Sequence, residues 1–410
     1  MALSAQDHAR LLRAIALADG AIGLCEPNPR VGCVLHDAAG HLAGEGFTQQ
    51  AGGPHAEVMA LRQAAASGRS LAGGTAWVSL EPCAHHGRTP PCADALIAAG
   101  LARVVVATTD PFAQVAGRGI ARLRAAGLTV DLAEHSATRR AAQEINIGFF
   151  SRVLRQRPWV RLKVAASLDG RTALPDGSSQ WITGDAARTD GHRWRRRAGA
   201  LLTGIGTVRA DDPRLDVRLV PIAHQPMRVV VDSGFATPPS ARILAAPGRV
   251  LVVGAHDLPL PMDRLRAAGA DLLLLPGDCN PHPNPDPDLD PDRGQTPARN
   301  RGRRQVDLAA LVRRLACQGI NELHVEAGAT LNAAWLQTGL VDELLVYLAP
   351  KLLGPGPGIA ALPALAALSQ AAALRFEAVY PVGDDLCLRA RQVGAEAFLD
   401  VLSAQRGPER

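Results

Sequence analysis

Short apolar runs alternate along this chain with stretches whose apolar positions return every third or fourth residue, the signature of strands interleaved with amphipathic helices. The pattern predicts a helix around Ala5 to Ala18, strands at Val31 to His36 and His41 to Phe47, and a helix from His55 to Ala66. It continues with a buried strand at Thr75 to Leu80, a helical run at Ala93 to Ala99, a strand at Arg103 to Ala107 and a helix-strand pair reaching about Ala133. Strands and helices in this order build a layered α/β domain. A helical connector from Arg139 to Pro158 leads to the apolar strand Trp159 to Ala165, where a second αβ series begins. Its strands are expected at Arg228 to Asp232, Arg249 to Val253, Asp271 to Leu275, Glu322 to Glu326 and Glu343 to Ala349. The expected division is a first domain over 1–147, a linker over 148–158 and a second domain over 159–395. Seven prolines and five aspartates lie between Pro276 and Pro297, followed by the basic run Arg299 to Arg304. Such a stretch buries too little apolar area to fold, so 276–304 reads as a disordered surface insertion.

At 410 residues the chain is long enough for two domains with full cores. Its seven cysteines are an odd number, which argues against a disulfide framework and for the cytoplasm. No charged-then-apolar leader is seen, and the Ala/Leu-rich stretch Ile359 to Leu374 is broken by Pro363 and Ser369-Gln370, so neither a signal peptide nor a membrane span is expected. The net charge of +5 is spread along the chain, the mark of a solvated surface more than of a nucleic-acid groove. Only Lys163 and Lys351 are lysines; the other basic residues are arginines.

The chemistry concentrates between His55-Ala56-Glu57 and Pro82-Cys83 with Cys92. A catalytic zinc takes nitrogen and sulfur donors on three sides and keeps a fourth position open for water. His55, Cys83 and Cys92 are that donor set, and Glu57, two residues from His55, is a carboxylate left to move protons. The order is that of the zinc deaminases, H-x-E followed by P-C-x-x-C, except that eight residues, Ala84 to Pro91, separate the cysteines here. Pro90-Pro91 opens a helix and sets Cys92 near its N-terminus, where the dipole favours a thiolate. A structural zinc site would require a fourth protein ligand, for which His85 or His86 are the candidates.

The second half lacks a G-x-G-x-x-G fingerprint after its first strand, which speaks against a Rossmann domain. It does carry two turns able to cradle phosphate, Gly204-Ile205-Gly206-Thr207 and Glu326-Ala327-Gly328-Ala329-Thr330-Leu331. Either alone is also what an ordinary glycine turn looks like. With Lys163, Asp169-Gly170-Arg171 and Ser179-Gln180-Trp181, they point to a dinucleotide and an anionic substrate meeting in one cleft.

Several segments then carry a resemblance in order over nearly the whole chain: Pro27-Asn28-Pro29-Arg30-Val31-Gly32, His55-Ala56-Glu57-Val58, Glu81 to Cys92, Ser167-Leu168-Asp169-Gly170-Arg171-Thr172, Gln180-Trp181-Ile182-Thr183, Ala210-Asp211-Asp212-Pro213, Val325-Glu326-Ala327-Gly328 and Ala349-Pro350-Lys351-Leu352-Leu353-Gly354. They resemble the bifunctional riboflavin-biosynthesis deaminase/reductases. The resemblance implies an N-terminal cytidine-deaminase-like αβα domain and a C-terminal dihydrofolate-reductase-like α/β domain. It implies zinc-dependent deamination of a diamino-phosphoribosylaminopyrimidine, followed by NADPH-dependent reduction of the ribosyl group of the resulting aminouracil to ribityl.

By motif, the resemblance makes His55, Cys83 and Cys92 the zinc ligands and Glu57 the proton shuttle, with Asn28, His85 and Arg88 near the pyrimidine or its ribose phosphate. It places NADPH against Ala165, Trp181, Thr207, Asp211, Ser233 and the turn Gly328, Ala329, Thr330, Leu331, Asn332, Ala333 and Ala334. It places the reductase substrate against Ser179, Arg195, Leu215, Arg218 and Glu326. Lys163 or Asp211 would assist protonation. Arginines suit such a role because their forked donors match phosphate. Without the motif, however, Arg195 within Arg193-Trp194-Arg195-Arg196-Arg197 reads as part of a solvated basic helix face.

Two departures stand out: Ala84 where the family carries Ser, and Asp110-Pro111-Phe112-Ala113 where it carries Asp-Pro-Asn-Pro. Neither touches a zinc ligand or Glu57. The expected partners are small-molecule substrates and further copies of the chain, with no nucleic acid and no membrane. A nucleic-acid-editing zinc deaminase with an accessory binding domain is the alternative, but aromatic residues make up only 3%, too few for base-stacking platforms. A non-catalytic binding protein is the third reading, against which the intact Glu57 and ligand set speak.

Overall fold

The computed structural model describes residues 3–84, 90–112, 115–134, 136–277 and 304–400. The expected insertion at 276–304 falls almost wholly outside them, as do His85, His86, Arg88 and Ala113. Its flanks are described, and they meet as a bridge between Pro276 and Val306.

In the first half, α1 (Ala5–Ala18) is opened by Ser4, whose hydroxyl accepts the Asp7 N–H while Asp7 caps the Ser4 N–H in return. There follow β1 (Gly32–His36), β2 (Leu42–Phe47), α2 (Ala56–Ala66), β3 (Thr75–Val78), α3 (Cys92–Ala98), β4 (Arg103–Val106), α4 (Arg118–Ala125), β5 (Thr129–Leu132), α5 (Ala137–Ile145) and α6 (Ile147–Arg155). The sheet runs β2-β1-β3-β4-β5, with β1 antiparallel to both neighbours and β3, β4 and β5 parallel. One face packs on α2, α3, α4 and α6 through Ala60, Leu96, Leu123 and Phe150; the other packs on α1 and α5 through Leu11, Ala14 and Ala142. The result is three layers. Several expected boundaries shift by a residue or two, and two of the shifts lie at the site. His55 precedes α2 as its N-cap with extended backbone, and Thr75 to Leu80 is a strand only to Val78, because the chain turns away towards Pro82.

The second half continues with β6 (Trp159–Ser167), α7 (Asp185–Arg197), β7 (Ala200–Gly204), α8 (Ile205–Asp211), β8 (Met227–Val231), α9 (Arg242–Ala245), β9 (Val250–Gly254), α10 (Pro259–Ala267) and β10 (Asp271–Leu274). It ends with α11 (Leu308–Cys317), β11 (Glu322–Val325), α12 (Ala329–Gln337), β12 (Glu343–Ala349), β13 (Leu374–Val382) and β14 (Asp385–Gln392). The sheet order is β10-β9-β8-β7-β11-β6-β12-β14-β13, parallel from β10 to β12 and closed at one edge by the antiparallel β14 and β13. Strands buried on both faces read as continuous apolar runs, as β7 and β9 do. Helices α11 and α12 cover one face through Leu311, Leu315 and Trp335, while α8, α9 and α10 cover the other through Val208, Ile243 and Leu265. Neighbouring strands β7 and β11 therefore send their following helices to opposite faces. In open α/β sheets such a reversal opens a crevice at the carboxyl ends of the strands.

The two halves meet at the amino ends of β6, β11 and β12 around buried charges. Glu322, 1% exposed, accepts Arg30 of the first half at 2.7 Å, Arg161 at 3.0 Å and Arg197 at 2.9 Å. Glu343 accepts Arg161 and Arg391, and Glu144 of α5 accepts Arg389 and Arg391.

Candidate active sites

The first site is built where α2, α3 and the end of β3 converge. Glycines in β2 bring α2 down onto the sheet: an added Cβ at Gly44 would stand 2.2 Å from the Ala60 carbonyl oxygen, and at Gly46 2.5 Å from that of Ala56. His55 makes no side-chain cap bond at the helix start, so its ring is free to face the cysteines. Cys92, the first residue of α3, donates its backbone N–H to Cys83 Sγ at 3.3 Å. His55 Nδ1 lies 3.7 Å from Cys83 Sγ and 3.3 Å from Cys92 Sγ. A tetrahedral zinc with bonds of roughly 2.0 Å to nitrogen and 2.3 Å to sulfur sets those donors about 3.5 Å apart, so the triad fits the ion. Among the described residues, His55, Cys83 and Cys92 form the one group of three able to hold a metal.

Electrostatics agree with this use. Hydrogen bonding from Cys92, then from His55, overcomes burial and brings the Cys83 thiol down to about 4. The shared bond with Cys83, then burial and Glu57, push the Cys92 thiol up. Glu57 is 3% exposed, and burial followed by the charge at Cys83 raises its carboxyl. A carboxyl raised in this way takes up a proton more readily than an exposed one, as a proton carrier must. Asn28, half-buried, lies on the loop leading into β1, its N–H bonded to the Cys25 carbonyl at 2.8 Å. Phe112 is at the start of the loop after β4, its N–H held by Asp110.

Glu81, to which no motif gives a role, braces this site. Its carboxylate collects the backbone N–H groups of Asp110, Gly117, Gly119 and Ile120 at 3.0–3.2 Å, tying the segment before Cys83 to the start of α4. An acidic residue immediately before a Pro-Cys ligand pair was the available signal.

The second site lies at the carboxyl ends of β6, β7 and β11. Arg195, near the end of α7, grips Glu326 with two bonds of 2.5 and 2.9 Å and donates to the Asp216 carbonyl at 3.0 Å. Lys163 Nζ lies 3.8 Å from the same carboxylate, and His324 Nε2 lies 3.3 Å from it. Despite burial, the charges of Arg195 and then Lys163 hold the Glu326 carboxyl well below its ordinary range. Arg218 pairs with Asp216 at 2.7 Å and offers its N–H to His192 Nδ1 at 3.1 Å; Leu215 is buried beside them with φ 47°. The fold thus brings Lys163, Arg195, Leu215, Arg218 and Glu326 together. The solvated reading of Arg193 to Arg197 is overturned: Arg193 alone of its arginines is largely exposed, while Arg195, Arg196 and Arg197 turn inward to Glu326, the Ile22 carbonyl and Glu322. His192 and Asp216 were missed, although His192 stands one helical turn before Arg195.

Of the two nucleotide-type turns, Gly206 and Gly328 face open space, whereas Gly204 packs against Leu331. An added Cβ at Gly206 would meet nothing within 4 Å, and at Gly328 only Thr207 Oγ1, at 3.8 Å. Gly328 caps α12, whose first N–H groups are free for a phosphate. Of the residues carried over with that turn, Gly328 and Thr330 are exposed and Ala329 and Leu331 half-buried, whereas Asn332 and Ala333 are buried, Asn332 bonding the Ile359 carbonyl. Ala165 is half-buried in β6, Ser233 follows β8, and Asp211 ends α8 on the surface. Trp181 is 60% exposed beneath the Arg188 guanidinium, and Lys351 donates to the Trp181 and Ile182 carbonyls. Ser179 is half-buried in the loop before it. Asp169 accepts the N–H groups of Leu353 and Gly354, so two of the distant motifs meet.

Two family models match the chain: the RibD C-terminal domain over residues 158–388, and the cytidine and deoxycytidylate deaminase zinc-binding region over residues 4–108. The riboflavin biosynthesis protein RibD of Escherichia coli K12 is 43% identical over 396 residues, 93% of this chain and 98% of that protein. The structure of Acinetobacter baumannii RibD aligns with a TM-score of 0.79 at 38% identity, covering 94% of this chain and 99% of that one. A Thermotoga maritima diaminohydroxyphosphoribosylaminopyrimidine deaminase/5-amino-6-(5-phosphoribosylamino)uracil reductase aligns with a TM-score of 0.78 at 29% identity, over 94% and 98% of the two chains.

Proposed function

The chain belongs to the RibD family of bifunctional riboflavin-biosynthesis enzymes, and on that premise we propose how its two sites divide the work. It is a zinc-dependent pyrimidine deaminase and an NADPH-dependent reductase. The observation that carries the first activity is the convergence of His55, Cys83 and Cys92 beside the buried Glu57. The nucleic-acid-editing reading is not favoured, since the RibD C-terminal match occupies the half where an accessory binding domain would lie.

In the first step the exocyclic amine of 2,5-diamino-6-(5-phosphoribosylamino)pyrimidin-4-one is exchanged for the oxygen of water, releasing ammonia. Zinc, when bound by His55 and the two thiolates, supplies the Lewis acidity that brings the pKa of water to about 7. Glu57 takes the proton from the attacking water and delivers it to the leaving nitrogen. Asn28 hydrogen-bonds the pyrimidine edge, with His85 and Arg88 contributing contacts to the ribose phosphate or base.

In the second step the ribosyl group of 5-amino-6-(5-phosphoribosylamino)uracil, in its open form, gains a hydride and a proton to become ribityl. NADPH supplies the hydride. The backbone N–H groups of Gly328, Ala329 and Thr330 hold its phosphates, and Ala165, Trp181, Thr207, Asp211 and Ser233 complete the cradle. Arg195 and Arg218 hold the substrate phosphate, Glu326 and Ser179 its hydroxyls and Leu215 its apolar flank. Lys163, beside Glu326, delivers the proton; Asp211, exposed at the end of α8, serves the cofactor instead.

The deaminase domain is taken as 1–147 and the reductase domain as 159–395, joined over 148–158, a segment that also packs on the first sheet through Phe149 and Phe150. Small-molecule pyrimidines are its substrates. A homo-oligomer without nucleic acid is proposed, supported by the apolar edge of β13 and β14, where Phe376 is 66% and Val379 54% exposed. Among the described residues no helix is long and apolar enough to cross a membrane, and the cytoplasm is the proposed location.

The test follows ammonia release and NADPH oxidation separately in wild type and Glu57→Gln, with the pyrimidine generated in place. The mutant should lose ammonia release yet oxidise NADPH when given the deaminated uracil. NADPH left untouched by wild type in the presence of that uracil would refute the second site.

A further inference from the structure

The loop from residue 22 to residue 30 leads into β1 and is held from both halves of the chain: Asn146 exchanges bonds with the Arg30 backbone, and the reductase side supplies others. Asn321, the residue before β11, donates its Nδ2 to the Pro27 carbonyl at 3.1 Å. Arg152 of α6 donates to the same carbonyl at 3.2 Å and to Asn321 Oδ1 at 2.6 Å, so the amide is gripped at both ends. Arg196 of α7 donates to the Ile22 carbonyl at 3.2 Å. Arg30 reaches Glu322 at 2.7 Å and the Arg197 carbonyl at 2.6 Å. Gly319, with φ 85°, presents bare Cα to Pro27, where an added Cβ would stand 2.9 Å from the proline Cβ.

A cavity of about 200 Å³ adjoins the loop, lined by Gly23, Leu24 and Glu26 on one side and Ala198, Gly199 and His224 on the other.

The loop's far end is tied to β3, the strand that leads to Cys83. Gly32 and Ser79 exchange bonds of 3.0 Å, and the β1–β3 register pairs Cys33 with Val78. Asn28 thus lies between Pro27, whose carbonyl Asn321 of the reductase domain holds, and Gly32, which is tied to the strand that leads to Cys83.

We propose that Asn321, a residue of the reductase domain, is a positioning residue for deamination: by holding the Pro27 carbonyl it sets Asn28 against the pyrimidine. This rests on the reading of Asn28 as a substrate contact. The deaminase domain then supplies all its own zinc ligands but borrows the alignment of its substrate loop.

The test uses the full-length, zinc-loaded enzyme with Asn321→Ala, Asn321→Asp and Asn28→Ala. Asn321→Asp keeps the acceptor for Arg152 and replaces the donor to Pro27 by a carboxylate oxygen that repels that carbonyl. Both Asn321 variants should raise the KM for deamination about fivefold, the loss expected of one hydrogen bond, with kcat within about twofold of wild type. Zinc per chain and NADPH oxidation with supplied aminouracil should not change. An unchanged KM in both Asn321 variants while Asn28→Ala raises it would overturn the positioning role alone. Lost zinc or a kcat falling with KM would overturn it too, in favour of a merely structural one. If Asn28→Ala leaves KM untouched, the underlying reading of Asn28 fails, and the proposal with it.

Discussion

Glu81 accepts the backbone N–H of Gly119 at 3.0 Å, and a Cβ added at Gly119 would lie 1.9 Å from the Pro82 carbonyl oxygen. The start of α4 is thereby pressed against the segment that delivers Cys83. Gly119→Ala must displace Pro82, and with it a zinc ligand. Changes behind metal ligands typically cost about 10- to 100-fold in metal affinity or activity, and a loss in that range is expected for deamination here. Metal analysis after dialysis against a chelator should find less zinc in the variant, while oxidation of NADPH with supplied aminouracil persists. Retained zinc with full ammonia release would show that the segment tolerates the shift.

At the second site the two-pronged bond of Arg195 to Glu326 sets the geometry of the substrate cleft. Arg195→Lys keeps the charge and loses the fork. A charge-assisted bond is worth roughly 1.5–3 kcal/mol, so kcat/KM for the aminouracil should fall by about tenfold or more. Deamination should be unaffected. An equal fall in both activities would point to unfolding instead of a local change.

The contrast between the two sites shows what a sequence can display. His55, Glu57, Cys83 and Cys92 were legible because the ligand types sit in short motifs at the ends of elements whose periodicity is plain. Glu326 and Arg195 are 131 positions apart, and the five-residue run containing Arg195 has the composition of a solvated surface. Only the fold turns that helix so that Arg195 meets a carboxylate at the end of β11. Arg30 and Glu322, 292 positions apart, are a still more distant case, since no local pattern distinguishes a buried ion pair between domains from two surface charges.

That buried cluster should be visible in acid. Burial alone would raise the Glu322 carboxyl; Arg197, then Arg30 and Arg161, outweigh it and bring it from 4.5 down to about 2. Because the folded value lies below the unfolded one, its contribution to stability is complete above about pH 4.5 and is lost as pH falls towards 2. Glu343 and Glu144, also held low beside arginines, act in the same sense. In Glu322→Gln the Tm should be lower than wild type at pH 7, and the gap should narrow between pH 4.5 and 2. Parallel curves through that window would mean that Glu322 titrates normally.

Gly328 offers a way to separate cofactor binding from folding. Its φ of −77° suits any L-residue, and an added Cβ meets only Thr207 Oγ1 at 3.8 Å, so nothing in the protein itself forbids a side chain there. What a side chain would occupy is the space in front of the first N–H groups of α12, where the phosphates are proposed to lie. Gly328→Val should therefore keep its Tm and its ammonia release while KM for NADPH rises by about tenfold or more, since close backbone approach is what a glycine at such a turn permits. Fluorescence titration with NADPH measures the same loss without turnover. Unchanged affinity in a folded variant would move the cofactor away from this turn, and with it the proposed roles of Thr207 and Ala329.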